Sequence, residues 1–473
     1  MAKLHTARLL LALAAVAGPG PGLGFAAEPP RPNILVIVAD DLGWGDVGWH
    51  GGFGKTPTMD RLVREGVELD RHYVQPVCTP TRTALMTGRY PGRFGPQAIH
   101  PSNLRALPPG TVTLASALKS LGYATFQAGK WHLGSRPEWG PNAFGFDHAY
   151  GTLTGAADPW THKYRSGPYE DTWHRDGVRL DEEGNATELI TAEAERRIRE
   201  GGVPAATGDR KPWFLYVPFH AVHTPVDAPD EFKRLYDGVR FDDDPAKHDS
   251  RLRLAAMISQ LDASIGRLVA AIDETGQRCD TLIVFTSDNG GIESLENHYV
   301  GTVPDSPLNS ENAPLRGEKN TLWEGGMRVC AFANWPSRLE PRKCTAVMHV
   351  ADWFPTIARL VGWDPAQAPA WDGLDRWDAL AGAPEAQSRP RQVCVVHPSG
   401  RAVIGDRWKL IVHDQSKKKQ ESPQLYDLLA DPFETTDRAA KEPTVVAEYL
   451  AIAKADAALD LADMPADLRD APP

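Results

Sequence analysis

Residues 33–41, with the sequence NILVIVADD, decide the fold of this chain. The run at residues 33–38 is almost continuously apolar, which is typical of a strand buried on both faces of a parallel sheet. Asp40 and Asp41 follow directly after it. In open α/β sheets, ligands bind beyond the carboxyl ends of the strands, so these carboxylates are the first candidate site residues.

Further apolar runs alternate with amphipathic stretches along the chain. Strands are predicted at residues 123–128 (YATFQA), 213–219 (WFLYVPF) and 281–285 (TLIVF). Helical periodicity occurs at residues 113–121, 191–199 and 252–272. This alternation predicts an α/β fold with helices on both faces of the sheet.

The two ends of the chain differ from the part between them. Lys3 and Arg8, the apolar run at residues 9–17 and the small residues at 24–27 have the layout of a secretory signal peptide. Nine apolar residues are too few to span a bilayer, which needs about 20. We therefore expect an exported protein, periplasmic or secreted, without stable membrane insertion. An uncleaved anchor is the alternative.

Residue types change after about residue 375. The segments at residues 391–397, 402–412 and 424–428 predict antiparallel strands in a meander, and a helix is predicted at about residues 444–460. We expect a signal peptide at 1–27, a catalytic domain at 28–375 and a smaller C-terminal α+β domain at 376–473.

Composition excludes several classes of protein. The chain has 473 residues, of which 42% are hydrophobic, so wholesale disorder is excluded. Acidic residues outnumber basic ones by 62 to 51, which argues against a nucleic-acid partner. Five cysteines are too few for a disulfide scaffold. Apart from Cys78, they are Cys279, Cys330, Cys344 and Cys394, and their pairing stays open.

Polar side chains follow each of the four predicted strands. They are Asp40 and Asp41 after the first, Lys130 and His132 (GKWHLG) after the second, His220 and His223 (HAVHTP) after the third, and Asp288 and Asn289 (SDNGG) after the fourth. Parallel strands end at the same edge of a sheet, so we expect these side chains to converge on one site. For His220, a packed or surface position is the better explanation than a role next to the site.

This set of side chains predicts a cation site that faces an anion. The oxygen ligands are Asp40, Asp41, Asp288 and Asn289, which suit a hard cation such as Ca²⁺ or, less well, Mg²⁺. Without a cation, the three carboxylates would repel each other. Lys130, His132, His223 and Lys319 bring positive charge, which suits an oxyanion such as sulfate or phosphate.

The segment at residues 78–88, CTPTRTALMTG, predicts a short helix that begins at a cysteine. Pro80 suits the first turn and Gly88 suits the stop. Cys78 then lies at the helix N-terminus, where an anion is favoured, and Arg82 returns to the same face one turn later. A capped helix with an incidental thiol and a reactive low-pKa cysteine both remain open.

The CTPTR segment and its continuation TALMTGR resemble the signature of the type I, formylglycine-dependent sulfatases of the alkaline phosphatase superfamily. The resemblance extends over about residues 32–436 and includes, in family order, NILVIVADDLGWGDVG, GKWHLG, HTP, SDNGG, RGEKNTLWEGG and LYDLLADPFE. The flanks are most similar to the N-acetylgalactosamine-4-sulfatase branch. The resemblance implies a large, mixed, mostly parallel sheet sandwiched by helices, with a C-terminal antiparallel sheet.

The resemblance also implies roles for individual residues. In that family the cysteine is converted to Cα-formylglycine during export, which implies a formylglycine-generating or maturase enzyme as a partner. The matching Ca²⁺ ligands are Asp40, Asp41, Asp288, Asn289 and the modified Cys78. Arg82 matches the residue that positions the aldehyde hydrate, Lys130 and His132 match its hydrogen-bond partners, and His223 and Lys319 match the sulfate-binding pair.

The activity implied is hydrolysis of sulfate monoesters on a sulfated carbohydrate such as a glycosaminoglycan, with 4-O-sulfated N-acetylgalactosamine as the candidate. A hydroxyl of the aldehyde hydrate attacks sulfur, His223 with Lys319 protonates the leaving alcohol, and His132 deprotonates the second hydroxyl to expel sulfate. The alternatives are a phosphate or phosphonate ester hydrolase and an inactive carbohydrate-binding relative. Loops at 152–178 and 291–315 are expected to form a pocket wall that carries Trp160, His162, Arg165 and Trp173.

Overall fold

A ten-stranded sheet forms the centre of the protein. The computed structural model describes residues 31–164, 167–201, 210–294, 309–367, 370–383, 391–414 and 421–469. The expected signal peptide at residues 1–27 lies outside these ranges. The described residues from Arg31 onward belong to one compact unit.

The strands of the described residues are β1 (Asn33–Ala39), β2 (Val67–Leu69), β3 (His72–Tyr73), β4 (Ala124–Lys130), β5 (His148–Thr152), β6 (Trp173–Arg175), β7 (Val178–Arg179), β8 (Trp213–Pro218), β9 (Thr281–Ser287), β10 (Ala331–Asn334), β11 (Arg342–Cys344), β12 (Met348–His349), β13 (Val393–His397), β14 (Gly400–Ile404), β15 (Trp408–His413) and β16 (Gln424–Asp427). The α-helices of the same described residues are α1 (Pro57–Arg64), α2 (Cys78–Thr87), α3 (Leu114–Ser120), α4 (Ala186–Gly201), α5 (Asp230–Arg234), α6 (Pro245–Glu274), α7 (Glu324–Met327), α8 (Trp353–Val361), α9 (Trp377–Ala381) and α10 (Pro443–Ala457).

The central sheet is mixed and mostly parallel, as predicted. Its order is β11-β2-β10-β9-β1-β8-β4-β5-β6-β7. The five strands β9, β1, β8, β4 and β5 pair in parallel. Strands β10 and β6 pair antiparallel with both of their neighbours. The four strands predicted from sequence are therefore adjacent in the sheet.

Both faces of the sheet are covered by helices, which confirms the expected sandwich. Side chains alternate along β1, so Ile34 and Val36 join one core cluster and Leu35 and Ile37 join the other. The first cluster includes residues of α2, α3 and α8, and the second includes residues of α1, α4 and α6. All four β1 side chains are fully buried, which explains the continuous apolar run in the sequence.

Helix α6 is longer than the segment at residues 252–272 that predicted it. By length and composition alone it could cross a membrane, although 78% of its most apolar window is buried inside the protein. Asp244 caps its start, because its side chain accepts a hydrogen bond from Ala246 N at 2.9 Å. Burial against α1 and α4 accounts for its apolar character.

The C-terminal region contains the expected antiparallel sheet, with the order β13-β14-β15-β16. Residues 402–412 belong to two strands, β14 and β15, which are joined at residues 405–407. Val403 and Leu410 pack into a core cluster shared with the central sheet, while Ile404 and Ile411 pack with Met327. The sheet is thus covered on both faces. The domain boundary near residue 375 stays a prediction.

The cysteines form no disulfide among the described residues. Cys279 is exposed, whereas Cys330, Cys344 and Cys394 are buried. Burial raises the pKa of Cys394 and of Cys330, so these thiols stay protonated near neutral pH.

Candidate active site

The carboxyl ends of four adjacent parallel strands carry most of the candidate site residues. Ala39 at the end of β1 pairs with Ser287 at the end of β9, so Asp40 and Asp288 lie side by side beyond the sheet. The backbone N–H of Asp288 donates to Ala39 O at 3.0 Å, which holds the two strand ends together. Strand order therefore places residues that are about 250 positions apart in sequence in one cluster.

Arg82 occupies the centre of this cluster. Its Nε and Nη2 donate to Asp288 Oδ2 at 3.0 and 2.8 Å, and its Nη1 donates to Lys130 O at 2.9 Å. Arg82 and Asp288 are both fully buried. A buried carboxylate needs a partner of opposite charge, and Arg82 provides it while fixing the end of β4.

Two lysines neutralise the remaining carboxylates. Lys130 Nζ donates to Asp40 Oδ2 at 2.5 Å, and Lys319 Nζ donates to Asp41 Oδ1 at 2.5 Å. Asn289 Nδ2 also donates to Asp41 Oδ1, at 2.7 Å. Each lysine donates to one oxygen of its carboxylate, Oδ2 of Asp40 or Oδ1 of Asp41. The other oxygen of each carboxylate is therefore available to another ligand.

Three buried oxygens in this cluster have no hydrogen-bond partner among the described residues. They are Asp40 Oδ1, Asp41 Oδ2 and Asn289 Oδ1. Buried polar atoms are almost always paired, so three neighbouring exceptions indicate a place where a ligand can bind. Asp40, Asp41 and His223 each offer a ligand atom, and these atoms lie within 4.8 Å of one another. The oxygen-rich donor set fits a hard divalent cation.

The pKa values of the aspartates reflect this crowding. Burial, followed by the charge of Asp40, raises the pKa of Asp288 above its usual range. Burial also acts to raise the pKa of Asp41, but the charge of Lys319 and then that of His223 outweigh it, so this pKa is held well below its usual range. Asp41 is therefore ionised throughout the physiological range.

Cys78 is the first residue of α2, and the whole helix is buried. The preceding Val77 is extended, and Gly88 ends the helix in the left-handed conformation, as its sequence position predicts. Burial raises the pKa of the Cys78 thiol, and the charges of Lys130 and Lys319 offset this only in part. This environment does not favour a low-pKa thiolate.

His132 faces the cluster from the segment after β4. Its backbone N–H donates to Leu153 O at 3.1 Å, and its carbonyl accepts from Thr79 Oγ1 at 3.2 Å. Burial, followed by the charge of Lys130, holds the pKa of His132 well below its usual range. The ring is therefore neutral and can accept a proton.

Gly155 is a site residue that the sequence analysis missed. A Cβ at this position would lie 2.4 Å from His132 Nε2 and 2.5 Å from Cε1 of the same ring. Only glycine leaves room for the imidazole in its present place. No local sequence signal marks Gly155, because its neighbour in space is 23 residues away in another loop.

The two histidines that follow β8 have different surroundings. His223 Nδ1 lies 2.6 Å from Thr224 O, which can only accept, so this nitrogen carries the proton. His223 Nε2 lies 3.6 Å from Asp41 Oδ2. His220 Nε2 instead lies 2.6 Å from Thr152 Oγ1 at the end of β5. His223 therefore faces the cluster, and His220 is packed against the end of β5, which lies two strands away from β8 in the sheet.

The C-terminal sheet reaches the segment that carries Lys319. Asn320 N donates to Pro76 O at 2.8 Å, two residues before Cys78. His397, at the end of β13, lies with Nε2 2.8 Å from Asn320 Oδ1. The sequence analysis missed Asn320 and His397, since nothing local relates residues 77 positions apart.

The expected pocket wall is only partly formed by the residues proposed for it. Trp160 is 37% exposed, and its Nε1 donates to Asp227 Oδ2 at 3.0 Å. His162 and Trp173 are buried and stack on each other with ring centroids 4.3 Å apart, so they support the loop from inside. Trp173 also lines a cavity of about 290 Å³ between residues 135–137 and the hairpin of β6 and β7, so the expectation that these residues form a pocket wall stays a prediction. Arg165 and residues 295–308 of the second loop lie outside the described residues.

Comparisons with known proteins identify the family of this chain. The Sulfatase family model matches residues 32–363. Arylsulfatase J of Mus musculus is 31% identical over 90% of this chain and 75% of that protein. N-acetylgalactosamine-6-sulfatase of Canis lupus familiaris is 31% identical over 79% of this chain and 70% of that protein.

Solved structures show the same likeness across almost the whole chain. The crystal structure of Ps i-CgsB in complex with k-i-k-neocarrahexaose superposes with a TM-score of 0.78 and 28% sequence identity. The match covers 92% of this chain and 94% of that chain. The family model, the relatives and the shared fold together show that this chain belongs to the sulfatase family and is a sulfuric ester hydrolase.

Proposed function

We propose that this protein hydrolyses sulfate monoesters of carbohydrates at the cluster around Cys78. The observation that carries this proposal is the cluster in which Lys130 contacts Asp40, and Lys319 and His223 contact Asp41. Both lysines act on the charge of Cys78 at the helix N-terminus, and His132 is held by Thr79, the next residue of that helix. Positive charge, proton carriers and a helix N-terminus together favour a bound oxyanion.

A divalent cation, with Ca²⁺ as the leading candidate, is the expected ligand of the unpaired oxygens. Asp40, Asp41 and Asn289 would hold it through those atoms, together with Asp288 and the modified Cys78. When bound, it would supply a compensating charge for the carboxylates and Lewis-acid stabilisation of a negatively charged oxygen. Mg²⁺ suits the same oxygen donors less well than Ca²⁺ does, because it demands a stricter geometry.

We further propose that Cys78 is converted to Cα-formylglycine by a formylglycine-generating or maturase enzyme during export. Two observations support this: the CTPTR segment begins at Cys78, and a candidate export signal precedes it. The hydrated aldehyde would supply one hydroxyl as nucleophile and a second through which sulfate is released. A buried, protonated thiol offers neither.

The protein's own side chains perform the binding and proton transfers. The ammonium groups of Lys130 and Lys319 contact the carboxylates of Asp40 and Asp41 and therefore lie next to the bound oxyanion. There they stabilise the negative charge that develops on the oxyanion oxygens during the reaction. His223, with Nδ1–H held by Thr224 O, presents an unprotonated Nε2 to the site, so it carries a proton to the leaving alcohol only after Nε2 has taken one up; Lys319, whose ammonium group already holds protons, is the second donor. His132 is held by Leu153 and Thr79. It accepts the proton of the second hydroxyl in the later step that releases sulfate.

The substrate class is a sulfated sugar, with a terminal 4-O-sulfated N-acetylgalactosamine as the leading candidate. A sugar alcohol is a poor leaving group, so its release needs a proton donor, the role proposed for His223 together with Lys319. The related N-acetylgalactosamine-6-sulfatase supports a sulfated amino sugar but favours another sulfate position. Sulfate position is therefore the first property to measure.

The deciding experiment measures sulfate release from defined substrates by purified, modified protein. The panel holds galactosamine and glucosamine sugars sulfated at the 2-, 3-, 4- or 6-position, an aryl sulfate and an aryl phosphate, with Cys78→Ala as the inactive control. We expect the highest kcat/KM on a sulfated sugar. Faster hydrolysis of the aryl phosphate than of every sulfate would contradict the proposed reaction. Preference for the aryl sulfate over every sugar would contradict the substrate class.

A further inference from the structure

Lys319 lies in a loop whose two ends meet. We call residues 316–325 the Lys319 loop. The backbone N–H of Gly325 donates to Arg316 O at 2.7 Å, which closes the loop at its base. A Cβ at Gly325 would lie 2.1 Å from Gly317 O, so the two chain segments are in direct contact there. The position of Lys319 therefore depends on what holds this base in place.

Glu434, from the segment after β16, is bonded to both ends of the loop. Its Oε2 accepts a hydrogen bond from Glu324 N, next to the end of the loop, at 2.7 Å. Its backbone carbonyl accepts from Arg316 Nη1, at the start of the loop, at 2.8 Å. The Glu434 side chain is fully buried. One residue far along the chain thus holds the base of the Lys319 loop from both sides.

The backbone of Glu434 has an uncommon conformation. Its φ is +56°, in the left-handed region that residues with a side chain rarely adopt. Such a conformation persists only where the surrounding structure fixes it, and it is found most often near functional sites. The two bonds to the Lys319 loop need the carbonyl and the carboxylate of one residue to face the same loop. We infer that this requirement is what holds Glu434 in the left-handed region.

Lys409 of β15 fixes the carboxylate of Glu434. Lys409 Nζ lies 2.7 Å from Glu434 Oε1 and donates to Glu324 Oε1 at 3.0 Å. All three side chains are fully buried. Tyr73 OH donates to Glu324 Oε2 at 3.0 Å, which joins this group to β3. Because a buried charge needs a partner of opposite charge, the lysine and the two carboxylates act as one unit that ties the C-terminal sheet to the Lys319 loop.

The middle of the Lys319 loop is held by fewer contacts. Lys319 N donates to Gly291 O at 3.1 Å, and Asn320 N donates to Pro76 O at 2.8 Å. Lys319 Nζ then reaches Asp41 Oδ1 at 2.5 Å. Two backbone bonds from adjacent residues still allow the loop to rotate about them, and the contacts at its base prevent that rotation. A shift of the base would therefore displace Lys319 Nζ.

We propose that Glu434 is a positioning residue for sulfate ester hydrolysis: by holding both ends of the Lys319 loop, it keeps Lys319 Nζ beside Asp41, where the sulfate of the substrate binds. The inference rests on the proposed function, because Glu434 acts through the role proposed there for Lys319. It also gives the C-terminal region a part in the reaction, since Glu434 and Lys409 both belong to that region.

The test is a double-mutant cycle of Glu434→Ala and Lys319→Ala. The readout is kcat/KM for an aryl sulfate, measured on modified protein with excess Ca²⁺. Glu434→Ala should lower kcat/KM about ten-fold or more, since a displacement of about 1 Å at a reacting group can cost about 100-fold. In the Lys319→Ala background the same change should cost less than about two-fold, because no lysine remains to be positioned. A merely structural role would give equal losses in both backgrounds.

Two milder variants carry the test if Glu434→Ala does not fold. Glu434→Gln keeps an acceptor oxygen for the loop backbone, and Arg316→Ala removes an exposed side chain that bonds to Glu434 O. Each should show a smaller loss of kcat/KM that again disappears in the Lys319→Ala background. The matched control is Asp456→Ala, which removes a buried carboxylate of the C-terminal region that pairs with two arginines away from the loop. It should lower thermal stability and keep kcat/KM within about two-fold of wild type.

The outcomes separate the two proposals. If Lys319→Ala lowers kcat/KM but the Glu434 and Arg316 variants lower it equally in both backgrounds, or not at all, the positioning role is wrong and the proposed function stands. If Lys319→Ala keeps the wild-type kcat/KM, the proposed role of Lys319 is wrong and this inference fails with it. If the cycle is non-additive as expected but the protein hydrolyses no sulfated sugar, the proposed substrate class fails and the positioning role stands.

Discussion

Replacing Gly155 with alanine should disable His132 without unfolding the protein. The new Cβ would lie 2.4 Å from His132 Nε2, whereas ordinary contacts of a Cβ begin at 3.4 Å. The imidazole or the loop must therefore move by about 1 Å, and a displacement of about 1 Å of a reacting group can cost about 100-fold in rate. This corresponds to about 2.7 kcal/mol of activation free energy.

The assay is steady-state hydrolysis of an aryl sulfate, with thermal unfolding measured on the same samples. Gly155→Ala should lower kcat about 100-fold and change KM far less, since the sulfate-binding lysines are untouched. The control is Gly238→Ala, where a Cβ meets nothing within 4 Å but the φ of +80° imposes strain. That control should lower thermal stability slightly and keep kcat. A kcat for Gly155→Ala within two-fold of wild type would refute the reasoning.

Three further predictions concern the modification, the metal and the pH dependence of stability. Mass spectrometry of active protein should show an aldehyde in place of the Cys78 thiol, while the buried Cys330 in the same digest keeps its sulfur. An active sample with an intact Cys78 thiol would exclude the proposed nucleophile. Asn289→Ala should lower the bound calcium measured by elemental analysis to well below one ion per chain, because it removes an unpaired buried oxygen; an unchanged metal content would remove Asn289 from the ligand set. Burial raises the pKa of Asp262 to about 6, against the effect of hydrogen bonds from Met59 N and Thr58 N. In this pH range its carboxyl is therefore protonated in the folded state and ionised in the unfolded state. As the pH rises from about 4 to about 6, the free energy of unfolding of the wild type should fall by on the order of 2 kcal/mol relative to that of Asp262→Asn, with no further relative loss above that range. If the free energies of unfolding of the two proteins, measured by denaturation, change equally with pH across this range, the assignment is wrong.

Much of the architecture could be predicted because the decisive signals are local. A strand buried on both faces must be apolar at successive positions, so residues 33–38 and 281–285 were recognisable without any knowledge of their neighbours. The strand ends extended one or two residues further than predicted, to Ala39 and Ser287. In the C-terminal region, Gly405 and Arg407 fall between two strands within the segment at 402–412, where the apolar run alone did not show a turn.

The order of residues along the chain specifies which chemistry this protein can carry, because oxygen donors, lysines and histidines stand directly after its strands and Cys78 begins a helix. It could not determine which strands are neighbours, since pairing depends on contacts across the whole chain. The order β9-β1-β8-β4 brings Asp288 to Asp40 and Lys130 across gaps of up to 248 residues. Tertiary packing also decided that Trp173 is buried and that Gly155 must leave room for His132, because each of these depends on a neighbour in space that no local pattern identifies.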